Sequence, residues 1–303
     1  MFKDFLSYYN KFQDRYEAHY EKFKKKLLNL EISDILKSFL FYTPDSKGKL
    51  LRSFFAYRSC ELFEIPSPIK ENVALAIELF QSFTLIHDDL PSLDNDDYRR
   101  GKESLHKVAG EANAILIGDA LSILPFLLFS DFTNSKSIKD YYPAILRFIN
   151  EFSAFAVFSL IDGQILDLQL NKEKIMKNED NKNIKDNFKD KILKIYEKKT
   201  ASFFAFSLSS GALLKPKDKE DNKIKEYLEL YDAGLNFGLA FQLMDDIDDY
   251  EKGKENFSFP NLFGLDLTKI YIKDYLKKSL KIIENYDKDI LYPYFSEFFK
   301  KFS

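Results

Sequence analysis

The chain has no tryptophan, one cysteine, three histidines, ten glycines and nine prolines in 303 residues. The lone Cys60 excludes an internal disulfide and any metal site built on cysteine. His19, His87 and His106 are too few for a histidine-rich centre, so a metal here would be a hard ion held by carboxylates. Scarce glycine and proline leave few turns and few helix breakers, which favours long helices. An excess of one charge is also missing, because 45 Lys+Arg stand against 48 Asp+Glu, a net charge of −3. That argues against a bulk basic surface and predicts no nucleic-acid partner. No uninterrupted apolar run approaches the ~18–20 residues of a membrane helix, so no integral membrane segment is expected. The nearest run, residues 121–129, is short and carries Pro125. The N-terminal MFKDFLSYYNKF has charges where a signal peptide needs an apolar core, and a cytoplasmic location is the expectation.

What is present is helical periodicity. Phe5, Tyr9, Phe12, Tyr16, Tyr20, Phe23 and Leu27 step by three or four and write one face of a long amphipathic helix. Further helices are predicted over residues 50–63, 70–89, 111–129, 145–170, 193–214, 223–250, 265–286 and 290–299. The polar stretch 171–191 reads as an exposed connection with room for a short helix, and 215–222 as a charged loop. No strand pattern, splitting linker or repeat is evident. The expected fold is all-α, one domain over residues 1–303, a bundle of roughly ten or more helices around a central cavity.

Two acidic motifs stand out. The first is LIHDDLPSLDNDDYRRGK, where Asp88 and Asp89 fall in the last turn of a helix and Asp94, Asp96 and Asp97 follow. A helix C-terminus already carries partial negative charge, so carboxylates there call for a compensating cation. Alone, such a cluster fits a solvated loop as well as a divalent-metal site. The second is GLAFQLMDDIDDY, where Asp245 and Asp249 stand four residues apart on one face, Asp246 flanks them, and Gln242 shares their stripe. Like charges at that spacing destabilise a helix by about 0.2–0.5 kcal/mol per pair, and metal coordination is a reason to keep them in an apolar segment. Two such helices facing each other would hold several Mg²⁺, an ion that binds one or two carboxylates plus substrate phosphates. The implied ligand is a polyphosphate. Lys49 and Arg52 after Gly48, Arg99 and Arg100 after the first motif, and Lys198, Lys199 and Thr200 are candidate phosphate contacts.

These motifs closely resemble the trans-prenyl diphosphate synthases, and most of all the bacterial farnesyl diphosphate synthases. KGKLLR, FTLIHDDLPSLDNDDYRRGK, GEANAILIGDAL, GQILDL, YEKKT and GLAFQLMDD follow one another in family order from about Gly48 to about Gly264. The resemblance implies a short-chain prenyltransferase. It would condense isopentenyl diphosphate with dimethylallyl or geranyl diphosphate to give farnesyl diphosphate. It also implies about three Mg²⁺, held by Asp88, Asp89 and Asp94 on one side and by Asp245, Asp246 and Asp249 on the other. Arg99, Lys199, Thr200 and Gln242 would contact the allylic diphosphate. Gly48, Lys49, Arg52, Gln81 and Arg100 would serve isopentenyl diphosphate. Gln164 and Asp167 would line the allylic pocket, with Phe241 near the isopentenyl tail. Ionisation of the allylic C–O bond would need no histidine base, since the released diphosphate can take the proton. In the family, an aromatic residue five positions before the first Asp, with the two-residue insertion in DDLPSLD, goes with a C15 product. Phe83, with Thr84 beside it, would thus be the floor of the pocket. Family members are homodimers, and a homodimer is expected here.

The chain departs from the family pattern in four places. Gln81 stands where many members carry His, Lys47 replaces the first Gly of the Gly-Gly-Lys segment, and Ser53 replaces the Pro after its Arg. The stretch EKGKENFSFP is short, and Lys254 is the best match to lysines that close over the allylic site. The rival readings are a geranylgeranyl diphosphate synthase, a terpene cyclase, a non-catalytic synthase subunit and a His-Asp phosphohydrolase. Lys49, Arg52 and Arg100 argue against a cyclase, which has no second diphosphate pocket.

Overall fold

The computed structural model describes residues 2–131, 136–176, 182–216, 223–253 and 258–302. The aromatic stripe of the N-terminal segment forms α1 (Phe2–Leu28) and buries Phe5, Phe12, Tyr16, Tyr20, Phe23 and Leu27. A short α2 (Asp34–Phe39) leads to α3 (Leu51–Leu62) and α4 (Ser67–Asp88). α4 starts with Pro68 in its first turn, where a missing N–H costs nothing. After it come the strands β1 (Tyr98–Arg99) and β2 (Lys102–Glu103), then α5 (Leu105–Ala109) and α6 (Glu111–Ser130). α7 (Tyr142–Phe155) passes through a π-helical stretch, Ala156–Ile161, into α8 (Asp162–Met176). α9 (Lys182–Tyr196) does the same through Glu197–Ala201 into α10 (Ser202–Leu213). α11 (Lys223–Glu251), α12 (Phe259–Phe263), α13 (Leu265–Tyr286) and α14 (Leu291–Lys301) complete the chain.

The bundle is built around α10, every residue of which is buried. A helix apolar on all sides belongs in a core. Its serines fit there because their hydroxyls donate back one turn, Ser207 to the Phe203 carbonyl at 2.8 Å and Ser210 to that of Phe206 at 2.9 Å. α10 packs on α3 and α11. Gly234 and Gly238 bring α11 against α10 and the turn before it, where a Cβ would overlap Ala205 and Ala201. Phenylalanine supplies most of the largest fully buried side chains. Phe55, Phe204, Phe237 and Phe295 pack together on one side of α10, and Phe80, Phe152, Phe155, Phe203 and Phe206 on the other.

The all-α expectation and the long helices hold, and several details differ. α2, α5 and α12 span six, five and five residues, too short for a periodic signal. A small hairpin is present although no strand pattern was expected. Tyr98 pairs with Glu103 and Arg99 with Lys102. Its loop, Arg100–Gly101, has positive φ at both residues, as a type I′ turn requires. The stretch 171–191 is more helical than its composition suggests, since α8 runs to Met176 and α9 starts at Lys182. Two helices, Glu111–Ser130 and Ile138–Leu170, are long and apolar enough to cross a membrane by length and composition alone. That revises the expectation that none would be, because isolated polar residues interrupt an apolar run without lowering the average much.

Candidate active site

A cavity of about 880 Å³ opens between the C-terminal end of α4 and the C-terminal half of α11. The first acidic motif forms one wall. α4 ends at Asp88, and the amide of Asp94 then donates to the Asp88 carbonyl at 2.9 Å. That folds the loop back so that both residues line the cavity. Burial pushes the Asp88 carboxyl up to about 6, with Asp94 adding to the rise and Lys199 opposing it. Asp94 is raised too, first by burial and then by Asp167 and Asp96. Asp89 does not line the cavity. It is 3% exposed, and Arg99 clamps it, donating from Nε at 2.8 Å and again from a terminal nitrogen. Arg99 also reaches Asp96 at 2.8 Å.

The second motif forms the opposite wall. Asp245 and Asp249, one helical turn apart, line the cavity. Burial raises Asp245 to about 6, against the pull of Lys49 and Arg52. Asp246 faces elsewhere and is buried. It accepts from the Tyr196 hydroxyl and, at 3.0 Å, from Nε2 of Gln242. The Thr200 hydroxyl donates to Oε1 of Gln242 at 2.7 Å, and the Phe259 amide donates to the Tyr196 oxygen at 3.1 Å. One chain of hydrogen bonds thus ties the π-helical stretch, α11 and the start of α12.

Lys199 reaches across from that stretch. It donates to Asp167 at 2.9 Å, and although burial works against its charge, Asp88, Asp167 and Asp94 hold its pKa above the ordinary lysine value. Gln164, one turn before Asp167, lines the cavity with Phe241 and Phe203. Phe83 and Thr84 also line the cavity. The Phe83 ring lies 5.1 Å from Phe80 and 4.8 Å from His87, so it rests on packed aromatic core.

The remaining cations gather behind Arg52. Arg52 lines the cavity with its guanidinium 4.3 Å above the Phe204 ring, and burial lowers its pKa. Arg100 donates to the Ser46 carbonyl at 2.9 Å and lies across Gly48, where a Cβ would overlap its guanidinium. The Lys49 carbonyl accepts from the Tyr9 hydroxyl. Gly48, Lys49 and Arg100 flank the cavity without lining it. The departures from the family pattern find partners here. Lys47 pairs with Glu17 at 2.9 Å, Ser53 donates to Glu78 at 3.3 Å, and Gln81 donates to the Thr84 hydroxyl at 3.2 Å. Lys254 lies outside the described residues.

Sequence reasoning missed Glu78, Tyr196 and the pair formed by His87 and Asp119. The His87 Nε2 is 3.7 Å from Asp119, and Gly118 leaves the space the ring occupies. The only hint was the segment GEANAILIGDAL, which marks family order without assigning a role to Asp119.

Among the described residues, no three Asp, Glu, His or Cys groups gather closely enough to hold a metal ion by themselves. The donors are instead split between two walls. They are hard carboxylate oxygens lining a shared space, and that suits Mg²⁺ completed by phosphate oxygens. Nε of Arg52 and Oε1 of Gln81 are buried without a protein partner, and both residues line the cavity. Buried polar atoms are usually satisfied, so these two are suited to a polar ligand.

The chain belongs to the polyprenyl synthetase family, whose profile matches residues 33–269. It is 33% identical over 300 residues to the farnesyl diphosphate synthase of Buchnera aphidicola from Schizaphis graminum, covering 92% of this chain and 95% of that one. The farnesyl diphosphate synthase of Bacillus subtilis is 30% identical over 285 residues, with 87% and 88% covered. A geranylgeranyl diphosphate synthase of Cyanophora paradoxa is 30% identical over 268 residues, with 83% and 79% covered. Among solved structures, a geranyltransferase from Helicobacter pylori superposes with a TM-score of 0.69 at 26% identity, covering 95% of each chain.

Proposed function

We propose that the chain is a transferase that condenses isopentenyl diphosphate with dimethylallyl or geranyl diphosphate to give farnesyl diphosphate. The observation that carries the reading is a cavity with Asp88 and Asp94 on one wall, Asp245 and Asp249 on the other, and Phe83 among the aromatic side chains that line it. Those four carboxylates would hold Mg²⁺, about three ions, completed by the allylic diphosphate. Bound there, Mg²⁺ supplies Lewis-acid stabilisation of the charge that grows on the departing diphosphate.

The side chains do the rest. Asp89 and Asp246 orient the neighbouring carboxylates through Arg99 and Tyr196 rather than facing the cavity. Lys199 and Arg99 add positive charge where the leaving group gains negative charge. Thr200 and Gln242 offer hydrogen bonds to the same group. Lys49, Arg52, Arg100 and Gln81 take the second diphosphate, which places the isopentenyl double bond near the allylic carbon. Phe203, Phe241 and Phe83 exclude water from the cation and limit the tail. The released diphosphate accepts the proton lost when the new double bond forms. In this reading the chain makes one domain, which the single buried cluster from Phe5 to Phe295 among the described residues supports.

Labelled isopentenyl diphosphate with geranyl diphosphate and Mg²⁺ tests the reading by product analysis. A linear C15 diphosphate is expected. A hydrocarbon would indicate a cyclase, an alcohol or monophosphate a phosphohydrolase, and no product would overturn the assignment. A C20 product would leave the chemistry intact and favour the geranylgeranyl reading instead.

The chain also forms a homodimer in this reading. Leu116, Ile123 and Leu127 make an exposed apolar stripe on α6, and Val157 and Phe158 are exposed on the π-helical stretch. Light scattering at micromolar concentration is expected to return twice the 35.6 kDa chain mass. A monomer would refute it.

A further inference from the structure

Glu78 is a charged side chain in the middle of α4, only 3% exposed, in a helix segment otherwise filled by Leu75, Ile77 and Leu79. A carboxylate so placed is costly unless it is paired. Its partners are specific. Oε1 lies 3.6 Å from a terminal nitrogen of Arg100, and Oε2 accepts from Ser53 at 3.3 Å. Arg52 is the other cation acting on it. The two arginines come from distant parts of the chain, α3 and the hairpin loop. Arg52 and Arg100 also repel each other.

The local backbone adds to the cost. Arg100 has φ 52° and Leu50, just before α3, has φ 46°. Non-glycine residues in the left-handed region are strained and persist where the surroundings over-determine them. Gly48 removes the Cβ that would bar the Arg100 guanidinium. Strain, a missing side chain and a buried acid together hold the Arg100 guanidinium against Glu78, beside the cavity that Arg52 lines.

We propose that Glu78 is a positioning residue, holding Arg100 in the orientation in which it and Arg52 receive the second diphosphate. This rests on the proposed assignment of that pocket to isopentenyl diphosphate. Ser53 supports the role in this chain, because a proline there has no hydroxyl to give Glu78.

The alternative is that Glu78 only offsets excess positive charge. The two roles differ in sign. If Glu78 is just a competing anion, removing its charge strengthens diphosphate binding. If it orients Arg100, removing its charge weakens binding. In Glu78→Gln, KM for isopentenyl diphosphate is expected to rise about tenfold, the loss of one well-made charged contact. KM for the allylic diphosphate should change little. An unchanged or lower KM for isopentenyl diphosphate, or an equal rise for both substrates, would overturn the proposal. Should Glu78→Gln fail to fold, Glu78→Asp decides by the same ratio, since it keeps the charge but shortens the reach. Calorimetry with inorganic diphosphate in metal-free buffer reads the arginine pocket without turnover. It should show weaker binding in the variant even if the wild-type chain proves not to condense isoprenoids, so failure of the functional reading and failure of the Glu78 role are told apart.

Discussion

The two acidic walls of the cavity solve one problem with different backbones. On the α4 side the helix stops at Asp88 and a turn brings Asp94 back beside it. On the α11 side the helix runs on, and Asp245 and Asp249 meet by ordinary helical spacing. In both walls one aspartate is withdrawn and tied down. Arg99 holds Asp89, and Tyr196 with Gln242 holds Asp246. Each pair of adjacent aspartates thus divides into one that lines the cavity and one whose carboxylate is bonded away from it. A pair of identical residues in sequence need not share a role, because adjacent positions on a helix point about 100° apart.

The largest effect should separate the facing from the withdrawn carboxylates. Asp88→Ala and Asp245→Ala are each expected to lower kcat by about a thousandfold or more, as loss of a group acting on the leaving-group charge does. Asp89→Asn and Asp246→Asn should cost about 10- to 100-fold, the range for groups that orient a ligand. Steady-state kinetics in saturating Mg²⁺ checks both. Equal losses in all four would erase the division within each wall.

Next in size is the split between substrates. Arg99→Ala and Lys199→Ala should raise KM for the allylic diphosphate, and Lys49→Ala and Arg100→Ala that for isopentenyl diphosphate. Each lost charged contact costs about 1.5–3 kcal/mol, roughly 10- to 150-fold. Michaelis constants for both substrates in each variant decide it. Matching shifts in both constants would break the assignment of two pockets.

The floor should respond with the smallest change in rate and a change in product. Phe83 is about 7.5 Å before Asp88 along α4, at ~1.5 Å per residue. Phe83→Ala leaves both walls intact, so turnover should stay within about tenfold, while chromatography shows C20 and longer products. A variant that still stops at C15 would place the floor elsewhere, with Phe80 behind it the first candidate.

Much of this was legible from the amino-acid sequence for definite reasons. Long helices write periodic stripes, as α1 does with Phe5 through Leu27. Acidic pairs inside apolar segments, as at Asp245, announce that something must offset their repulsion. Other features leave no such trace. The hairpin at Tyr98–Glu103 has two-residue strands, too short to alternate. The π-helical stretch that aims Lys199 and Thr200 reads as plain helix in sequence. The roles of Glu78 and Tyr196 arise only from long-range contacts, to Arg100 and to Asp246. Asp89 and Asp246 look like metal ligands by position, and only the side-chain partners reveal that they are engaged elsewhere.

The central claim is that facing carboxylates from two walls share one set of ions while the withdrawn pair stays tied. A crystal grown with Mn²⁺ and inorganic diphosphate, with anomalous scattering locating the ions, tests it directly. The expected result is metal peaks beside Asp88, Asp94 and Asp245, joined through diphosphate oxygens, with Asp89 still on Arg99 and Asp246 still on Tyr196. Metal bound by Asp89 or Asp246 after release from those partners, or ions confined to one wall, would contradict it.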